Sequence, residues 1–244
     1  DISSCYSSAM MSIQGWDFSK PAKQIYNHKK LYDYLKENPN DLALINLEFE
    51  FKDDIMYPAI PIKCENNGIY PVKGVSYVLT NTYLACYKDL KYCRIKKCAI
   101  YSAVKKKDQS LISELITEYI KKRNNTKNPI ENKILKLLSN NLYGKTAEGV
   151  NQNKGRRISI AHTVFQDGET KISYKSKNKN EKGIITNLII ASYVTDYIRS
   201  IAYEYLKYLS TFFNWEKKKF VINFTTDGFM LANISESELM KEKD

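Results

Sequence analysis

Apolar residues recur at helical spacing in three parts of the chain, and they predict α-helices over residues 109–124, 129–143 and 184–212. The first two helices follow each other so closely that they predict a helical hairpin. On the third helix, which is the longest, the residues expected on the buried side are Ile185, Leu188, Ile189, Ser192, Ala202 and Leu206.

Shorter apolar runs, separated by prolines, predict further elements in the first hundred residues. Residues 1–13 predict the end of a strand, a turn and a short helix. The elements expected after them are strands over 42–51, 69–79 and 94–101, and a short helix over 82–90. This mixture of strands and helices predicts an α+β fold.

Two antiparallel hairpins are predicted in the second half of the chain. One pairs residues 157–164 with 170–175, and the other lies within residues 220–231 and has Thr226-Asp227-Gly228 at its turn. An Asp-Gly pair is a common hairpin device, so Asp227 taken alone is explained by a purely structural role.

The helix predicted over 129–143 has signals at both ends. Asn128 is placed as its N-cap, Pro129 lies in the first turn, and Glu131 stands where it would close a capping box. Gly144 predicts the end of the helix, because glycine adopts a left-handed backbone conformation without a steric penalty.

The same helix shows a polar stripe. Lys136, Asn140 and Tyr143 are spaced i, i+4 and i+7 and therefore lie on one side. An apolar stripe on another side consists of Leu135, Leu138 and Leu142. A cation, an amide and a phenol in one row indicate a site for a polar ligand, although an ordinary solvated face would explain the same pattern.

The formal net charge of +11 is concentrated in one third of the chain. Residues 104–183 hold 18 Lys and Arg against 8 Asp and Glu, and the rest of the chain is nearly balanced. Such a local excess indicates a partner that carries phosphate. A lysine-rich composition from an AT-rich genome would explain the number of lysines but not their clustering.

Cysteine usage and hydropathy exclude several classes of protein. The five cysteines form no Cys-x-x-Cys pair and only two histidines are present, which argues against a disulfide partner or a zinc site. We therefore expect a reducing intracellular setting, whether host cytoplasm, viral factory or mitochondrion. No apolar run approaches the roughly 20 residues needed to cross a bilayer, so no membrane partner is expected. The first residue is Asp1 rather than methionine, which suggests a fragment.

Four segments, in chain order, resemble family B DNA polymerases. Residues 1–8, Asp-Ile-Ser-Ser-Cys-Tyr-Ser-Ser, resemble polymerase motif A. Residues 136–145 resemble motif B, Lys-x-x-x-Asn-Ser-x-Tyr-Gly-Lys, and residues 225–228 resemble motif C. Arg123 and Lys127, four residues apart, are similar to the basic pair on the first fingers helix of that family.

The long separations on either side of motif B resemble those of protein-primed polymerases from phages, linear plasmids, virophages and Polinton-type elements. The resemblance implies a palm built of an antiparallel sheet with packed helices, two-helix fingers and two insertions. The first insertion would contact a terminal protein primer and the second would encircle DNA. The implied boundaries are palm 1–13, first insertion 14–108, fingers 109–145, second insertion with a β-hairpin 146–183, and palm 184–244.

The resemblance also implies a reaction, the template-dependent and DNA-directed addition of deoxynucleotides with two Mg²⁺ ions, or Mn²⁺ as the alternative ion. Asp1 and Asp227 are the implied catalytic carboxylates and metal ligands. Arg123, Lys127 and Lys136 would bind the triphosphate, and Lys136 would also donate a proton to the leaving pyrophosphate.

Further residues are implied in substrate and DNA binding. Tyr6 would lie under the sugar and exclude a 2′-hydroxyl, Asn140 would line the incoming deoxynucleoside triphosphate, and Tyr143 would pack at the nascent base pair. The residues expected to contact template–primer DNA are Gly144, Lys145, Lys175, Lys177 and Lys179. The lysine-rich stretch 175–182 is equally well explained as a solvated loop.

Several positions depart from the family pattern. Thr225 replaces the first aspartate of motif C, Gly228 and Asn141 each replace a serine, and Cys5 and Ser7 replace the leucine and proline of motif A. The change at Thr225 keeps open a catalytically degenerate, polymerase-like module that binds nucleic acid. A basic scaffold for a viral nucleoprotein would explain the charge but not the spacing of the motifs.

Overall fold

The computed structural model describes residues 5–64, 67–104, 111–148, 158–164, 170–176, 186–212, 220–224 and 229–235. Its helices are α1 (Cys5–Met11), α2 (His28–Glu37), α3 (Thr80–Cys86), α4 (Leu111–Asn125), α5 (Pro129–Thr146) and α6 (Leu188–Ser210). Its strands are β1 (Leu42–Phe51), β2 (Ile62–Cys64), β3 (Asn67–Ile69), β4 (Lys73–Leu79), β5 (Leu90–Tyr101), β6 (Ile158–Val164), β7 (Thr170–Ser176), β8 (Phe220–Phe224) and β9 (Phe229–Ala232).

The predicted α+β class is confirmed, since these strands pair in antiparallel fashion and helices pack on them. The division into palm, fingers and two insertions stays a prediction. None of the helices in the described ranges has the length and apolarity that crossing a membrane requires.

The central sheet has the strand order β4-β1-β5. Its middle strand, β1, covers the residues 42–51 that were predicted. Ile45, Leu47 and Phe49 alternate along this strand and are buried on one face of the sheet. There they form one apolar core with Leu31 and Leu35 from α2. Burial of one face fixes the register of the sheet, because a slip of one residue would expose the whole set.

A second apolar core lies where helices α1, α4, α5 and α6 meet. It contains Met10 from α1, Ile13 just after that helix, and Ile116 from α4. Helix α6 contributes Val194 and Ile198, and all five side chains are almost completely buried. The same helix reaches the sheet core through Tyr203, so α6 is shared by both cores.

A buried carboxylate on α6 binds the amino end of α3. Asp196 is 2% exposed, and its two carboxylate oxygens accept hydrogen bonds from the backbone N–H groups of Leu79 (3.1 Å), Asn81 (3.0 Å) and Thr82 (3.2 Å). The N-cap residue of α3, Leu79, supplies no side-chain cap of its own. Asp196 therefore caps α3 from another helix, which satisfies N–H groups that would otherwise be orphaned.

Two opposing effects act on the pKa of the Asp196 carboxyl. Burial raises the pKa of the Asp196 carboxyl, while hydrogen bonds from Thr82 act in the opposite direction. The donors at the start of α3 also carry the positive end of the helix dipole, which favours a negative group at this position.

The predicted buried face of α6 was wrong in its first half. Leu188 is 52% exposed and Ser192 is also exposed, while the buried residues there are Ile190, Tyr193 and Val194. The error has a clear cause, because Tyr193 and the polar Asp196 belong to the buried face although they were not among the residues expected there. Of the other positions, Ala202 and Leu206 are buried as predicted, Ile189 is half-buried, and Ile185 lies outside the described residues.

The end of helix α5 was predicted at Gly144, and this was wrong. The helix continues to Thr146. Gly144 keeps a helical conformation, and the helix ends where the Thr146 carbonyl accepts a hydrogen bond from the Asn187 N–H at 2.9 Å. The predicted apolar stripe is also incomplete, because Leu138 is 45% exposed whereas Leu135 is buried.

The amino end of α5 was predicted more closely. The side chain of Asn128 accepts hydrogen bonds from the N–H groups of Ile130 (2.9 Å) and Glu131 (3.4 Å). The capping box closes through a relay, since the Thr126 hydroxyl donates to Glu131 and accepts from the Asn128 N–H. Glu131 thus supports the cap without touching the N-cap backbone itself.

The remaining elements differ from their predictions mainly at the ends. The strand expected over 69–79 is split at Pro71 into β3 and β4, and the helix expected over 82–90 begins and ends earlier, as α3 followed by a 3₁₀ turn at Tyr87–Asp89. Strand β5 begins at Leu90, four residues before its predicted start. Both predicted hairpins are present as β6–β7 and β8–β9.

We expect Asp196→Ala to lower the free energy of unfolding by roughly 3 kcal/mol or more, because three buried N–H donors lose their acceptor. Asp196→Asn keeps one acceptor oxygen and should cost roughly half as much. The measurement is urea denaturation followed by circular dichroism.

The matched control is Glu204→Gln, which removes a carboxylate from an exposed position of the same helix. It should change the free energy of unfolding by no more than about 0.5 kcal/mol. Equal, small effects of all three substitutions would show that the Asp196 contact does not stabilise the fold.

Candidate functional site

The candidate site forms where α1 meets α5, around two tyrosine rings. Tyr6 on α1 and Tyr143 on α5 stack with their ring centroids 4.4 Å apart and an interplanar angle of 22°. Both side chains are half-buried. Burial raises the pKa of Tyr143, so its hydroxyl stays protonated over the neutral range.

Helices α1 and α4 are joined by a hydrogen bond at the carboxyl end of α1. The hydroxyl of Ser113, a buried residue of α4, donates a hydrogen bond to the Met11 carbonyl at 2.7 Å. This bond satisfies a carbonyl at the carboxyl end of α1 that has no partner within the helix. The position of Tyr6 is therefore fixed relative to α4 as well as α5.

Tyr143 is held in place from the carboxyl end of its own helix. The Thr146 hydroxyl donates to the Tyr143 carbonyl at 2.7 Å, and Thr146 is fully buried. Its carbonyl accepts from Asn187, the N-cap residue of α6. Sequence reasoning missed Thr146 because it placed the end of the helix at Gly144. The Thr residue after Gly-Lys was the signal that could have indicated a buried cap.

Lys136 and Asn140 precede Tyr143 on the same face of α5, and both are exposed. At a rise of 1.5 Å per residue, Lys136 lies about 10 Å from Tyr143 along the helix axis. Between them Ser139 is buried and its hydroxyl donates to the Lys136 carbonyl at 3.0 Å.

Arg123 and Lys127 lie at the joint of the α4–α5 hairpin. Arg123 is half-buried, and its Nε donates to the Asn132 side chain at 3.4 Å while its carbonyl accepts from the same amide at 3.2 Å. Lys127 is exposed in the three-residue connection between the helices. Within the described ranges, neither Lys127 nor Lys136 forms an ion pair.

The residues expected to contact DNA are placed less completely. Lys145 is exposed and forms an ion pair with Glu148 at 2.8 Å, and Gly144 is exposed next to it. Lys175 lies in strand β7. Lys177 and Lys179 lie outside the described residues.

The two expected metal ligands, Asp1 and Asp227, also lie outside the described residues. Their neighbours are described: α1 begins at Cys5, and Phe224 pairs with Phe229, the described residues on either side of 225–228. Among the residues that the structure describes, no group of three or more His, Cys, Asp or Glu side chains could hold a metal ion.

Comparison with known proteins identifies the fold. Phi29 DNA polymerase, in its ternary complex with primer-template DNA and incoming nucleotide, superposes on 99% of this chain with a TM-score of 0.59 and 15% sequence identity. Its binary complex with primer-template DNA superposes on 99% of the chain with a TM-score of 0.56 and 16% identity. This chain has the fold of a DNA polymerase.

Sequence comparison also finds a DNA polymerase, but the match is weaker. The primer-independent DNA polymerase PolB of Escherichia coli is 22% identical over 215 residues, which is 80% of this chain. No protein-family model matches the chain. The chain spans only 39% of the phi29 polymerase chain and 22% of PolB. At these identities the likeness establishes the fold, and it confirms the resemblance to DNA polymerases.

We expect the two stacked tyrosines to be energetically coupled. Tyr6→Leu and Tyr143→Leu each remove a ring while keeping apolar volume, so a double-mutant cycle should give a coupling free energy of about 0.5–1.5 kcal/mol. Urea denaturation of the four proteins measures it. A cycle that pairs Tyr143 with the exposed Tyr26 is the control and should be additive. Additivity in both cycles would contradict the ring contact.

Proposed function

We propose that this chain is the core of a DNA-directed DNA polymerase that adds deoxynucleotides to a primer by template-dependent, two-metal nucleotidyl transfer. The observation that carries the proposal is the contact between Tyr6 and Tyr143, which stand 137 positions apart in the sequence. They belong to the segments that resemble motifs A and B, and a nucleotide-binding pocket requires these two segments to meet.

The polymerase fold supports the same conclusion independently of the motifs. The phi29 enzyme, with which the chain shares its fold, has been seen with primer-template DNA and incoming nucleotide. We extend these ligands to the present chain as its template–primer DNA and deoxynucleoside triphosphate. Priming by a terminal protein is the finer part of the proposal, and it is supported by the long separations on either side of the motif B segment, which resemble the insertions of protein-primed polymerases.

The cations of the α4–α5 hairpin would bind the triphosphate. Lys127 and Lys136 are exposed, and Arg123 offers a planar donor for phosphate oxygens. Lys136 lies on the same face as Asn140 and Tyr143, so a nucleotide stacked near Tyr143 would have its phosphates within reach of that lysine. There Lys136 would stabilise the charge that develops on pyrophosphate and donate a proton to it.

The carboxylates of Asp1 and Asp227 would hold the two divalent ions. Their donor chemistry fits Mg²⁺, because hard oxygen ligands are the ones that Mg²⁺ prefers. When bound, such ions activate the primer 3′-hydroxyl and neutralise the triphosphate. The pairing of β8 with β9 on either side of residues 225–228 agrees with the hairpin that the motif C resemblance implies.

We expect Asp227→Ala to reduce templated nucleotide incorporation by at least about a thousandfold, because a metal ligand is lost, while DNA affinity stays close to that of the unsubstituted protein. Primer extension and fluorescence anisotropy with labelled primer–template measure the two properties.

The control is Asp53→Ala, which removes an 89% exposed carboxylate beyond β1 and should leave incorporation unchanged. Comparable incorporation by both variants would remove Asp227 from the site. An unsubstituted protein that binds DNA but shows no metal-dependent incorporation would instead support the degenerate module.

We expect Tyr6→Val to lower the preference for deoxyribonucleotides over ribonucleotides by at least about tenfold, because the smaller side chain leaves room for a 2′-hydroxyl. Single-nucleotide incorporation with matched dNTP and rNTP measures the ratio. The control is Tyr26→Val, which changes an exposed tyrosine outside α1. A ratio that is the same in both variants would exclude Tyr6 from sugar selection.

A further inference from the structure

The central sheet leaves part of one face open to solvent. Ile45, Leu47 and Phe49 of β1 point into the core, so Glu48 and Glu50 point to the other side. The edge strands β4 and β5 expose six residues on that side. We call this surface the open sheet face, and we define it by these six exposed residues: Lys73, Val75, Tyr77, Tyr92, Arg94 and Lys97.

Two exposed aromatic rings mark this face. Tyr77 is 68% exposed on β4 and Tyr92 is 46% exposed on β5. Tyr77 pairs with Asn46 and Tyr92 pairs with Glu50, so they lie on opposite edge strands and four residues apart along β1. Strand spacing and rise give a separation of about 16 Å between their backbones.

Two bulges in β5 change the charge of the open sheet face. The register shifts between Asn46 and Leu47, and again between Glu50 and Phe51, so that Lys96 and Lys91 are the extra residues of β5. Their ammonium groups lie 3.4 Å from the Glu48 carboxylate and 3.6 Å from the Glu50 carboxylate. Each bulge therefore places a lysine against one of the two carboxylates of this face.

The remaining cations are left in excess. Lys73, Arg94 and Lys97 are exposed, and none of them forms an ion pair with a residue in the described part of the chain. The open sheet face therefore combines a surplus of positive charge with two accessible tyrosine rings.

We propose that the open sheet face binds single-stranded DNA, with bases stacked on Tyr77 and Tyr92 and phosphates held by Lys73, Arg94 and Lys97. Stacking on aromatic rings beside a cationic groove is how sheets bind single strands without sequence preference. The separation of the rings corresponds to about five nucleotides at the stacked spacing of about 3.4 Å. Only the choice of DNA over RNA rests on the proposed function.

The composition of the face favours a nucleic acid over a protein partner. Protein interfaces are depleted in lysine at their cores, whereas this surface places lysines around both rings. A single strand supplies both the flat apolar bases and the phosphates that the face requires.

The test is binding of a fluorescein-labelled oligothymidylate to the full chain, measured by anisotropy in EDTA without nucleotide. Tyr77→Ala/Tyr92→Ala should weaken binding at least about tenfold, because two stacking platforms are lost. Arg94→Gln/Lys97→Gln should reduce the slope of log affinity against log salt by about 1.4, the value for two phosphate contacts with a single strand.

Matched controls lie outside the open sheet face. Lys29→Gln/Lys36→Gln removes two exposed charges from α2, and Tyr26→Ala removes an exposed ring. Both controls should bind oligothymidylate as the unsubstituted protein does. Variants of the open sheet face that also bind like the unsubstituted protein would overturn the proposal.

Photo-crosslinking separates this surface from any other DNA site on the chain. An oligonucleotide carrying 5-iododeoxyuridine should crosslink to peptides that contain Tyr77 or Tyr92, and crosslinks confined to the helices α1 and α5 would contradict the proposal. The crosslinking measurement involves no catalysis, so its outcome does not depend on whether the protein extends a primer. A protein that extends no primer but crosslinks at these tyrosines would contradict the proposed function alone.

Discussion

The interaction on which the fold depends is the contact between the Asp196 carboxylate and the amino end of α3. It brings a charged group into an almost fully buried position and gives it three backbone donors. Two more polar contacts follow along α6, where the Tyr203 hydroxyl donates to Asp89 at 2.9 Å and Lys207 lies 3.0 Å from the same carboxylate. Together they fix α6 against the sheet region at several points, so the sheet core and the helical core are held in one arrangement.

The candidate site depends on this arrangement through the first half of α6. Its N-cap residue, Asn187, donates to the end of α5, and Tyr143 lies one turn earlier on that helix. On the other side, α1 and its Tyr6 pack on α6 within the helical core. The two rings meet because their helices share a neighbour. The short contact between them is therefore a consequence of packing that extends well beyond the motifs.

Much of the fold follows from local patterns in the sequence. The middle strand β1, the helical hairpin, the Asn128 cap and both β-hairpins could be predicted, because each depends on apolar periodicity or on turn residues close by. The buried face of α6 could not, since Asp196 and Tyr193 are buried through partners far away in the chain. Thr146 was missed for the same reason, because its role depends on Asn187.

The candidate site could be predicted as a set of residue types, but not as a set of distances. The segments that resemble motifs A and B identified Tyr6 and Tyr143 as candidate site residues, and the structure shows that their rings are in contact. The bulges that place Lys91 and Lys96 beside β1 carry no local signal, since a bulge becomes visible only when the register of two strands is known.

The capping of α3 has a consequence for how this fold can change over evolution. Its three donors are main-chain N–H groups, and every residue type except proline provides one. Substitutions at positions 79, 81 and 82 other than proline therefore leave these donors in place, whereas the acceptor depends on one side chain. The arrangement of α3 and α6 is thus far more sensitive to a change at position 196 than the hydrogen bonds are to a change at any of the three donor positions.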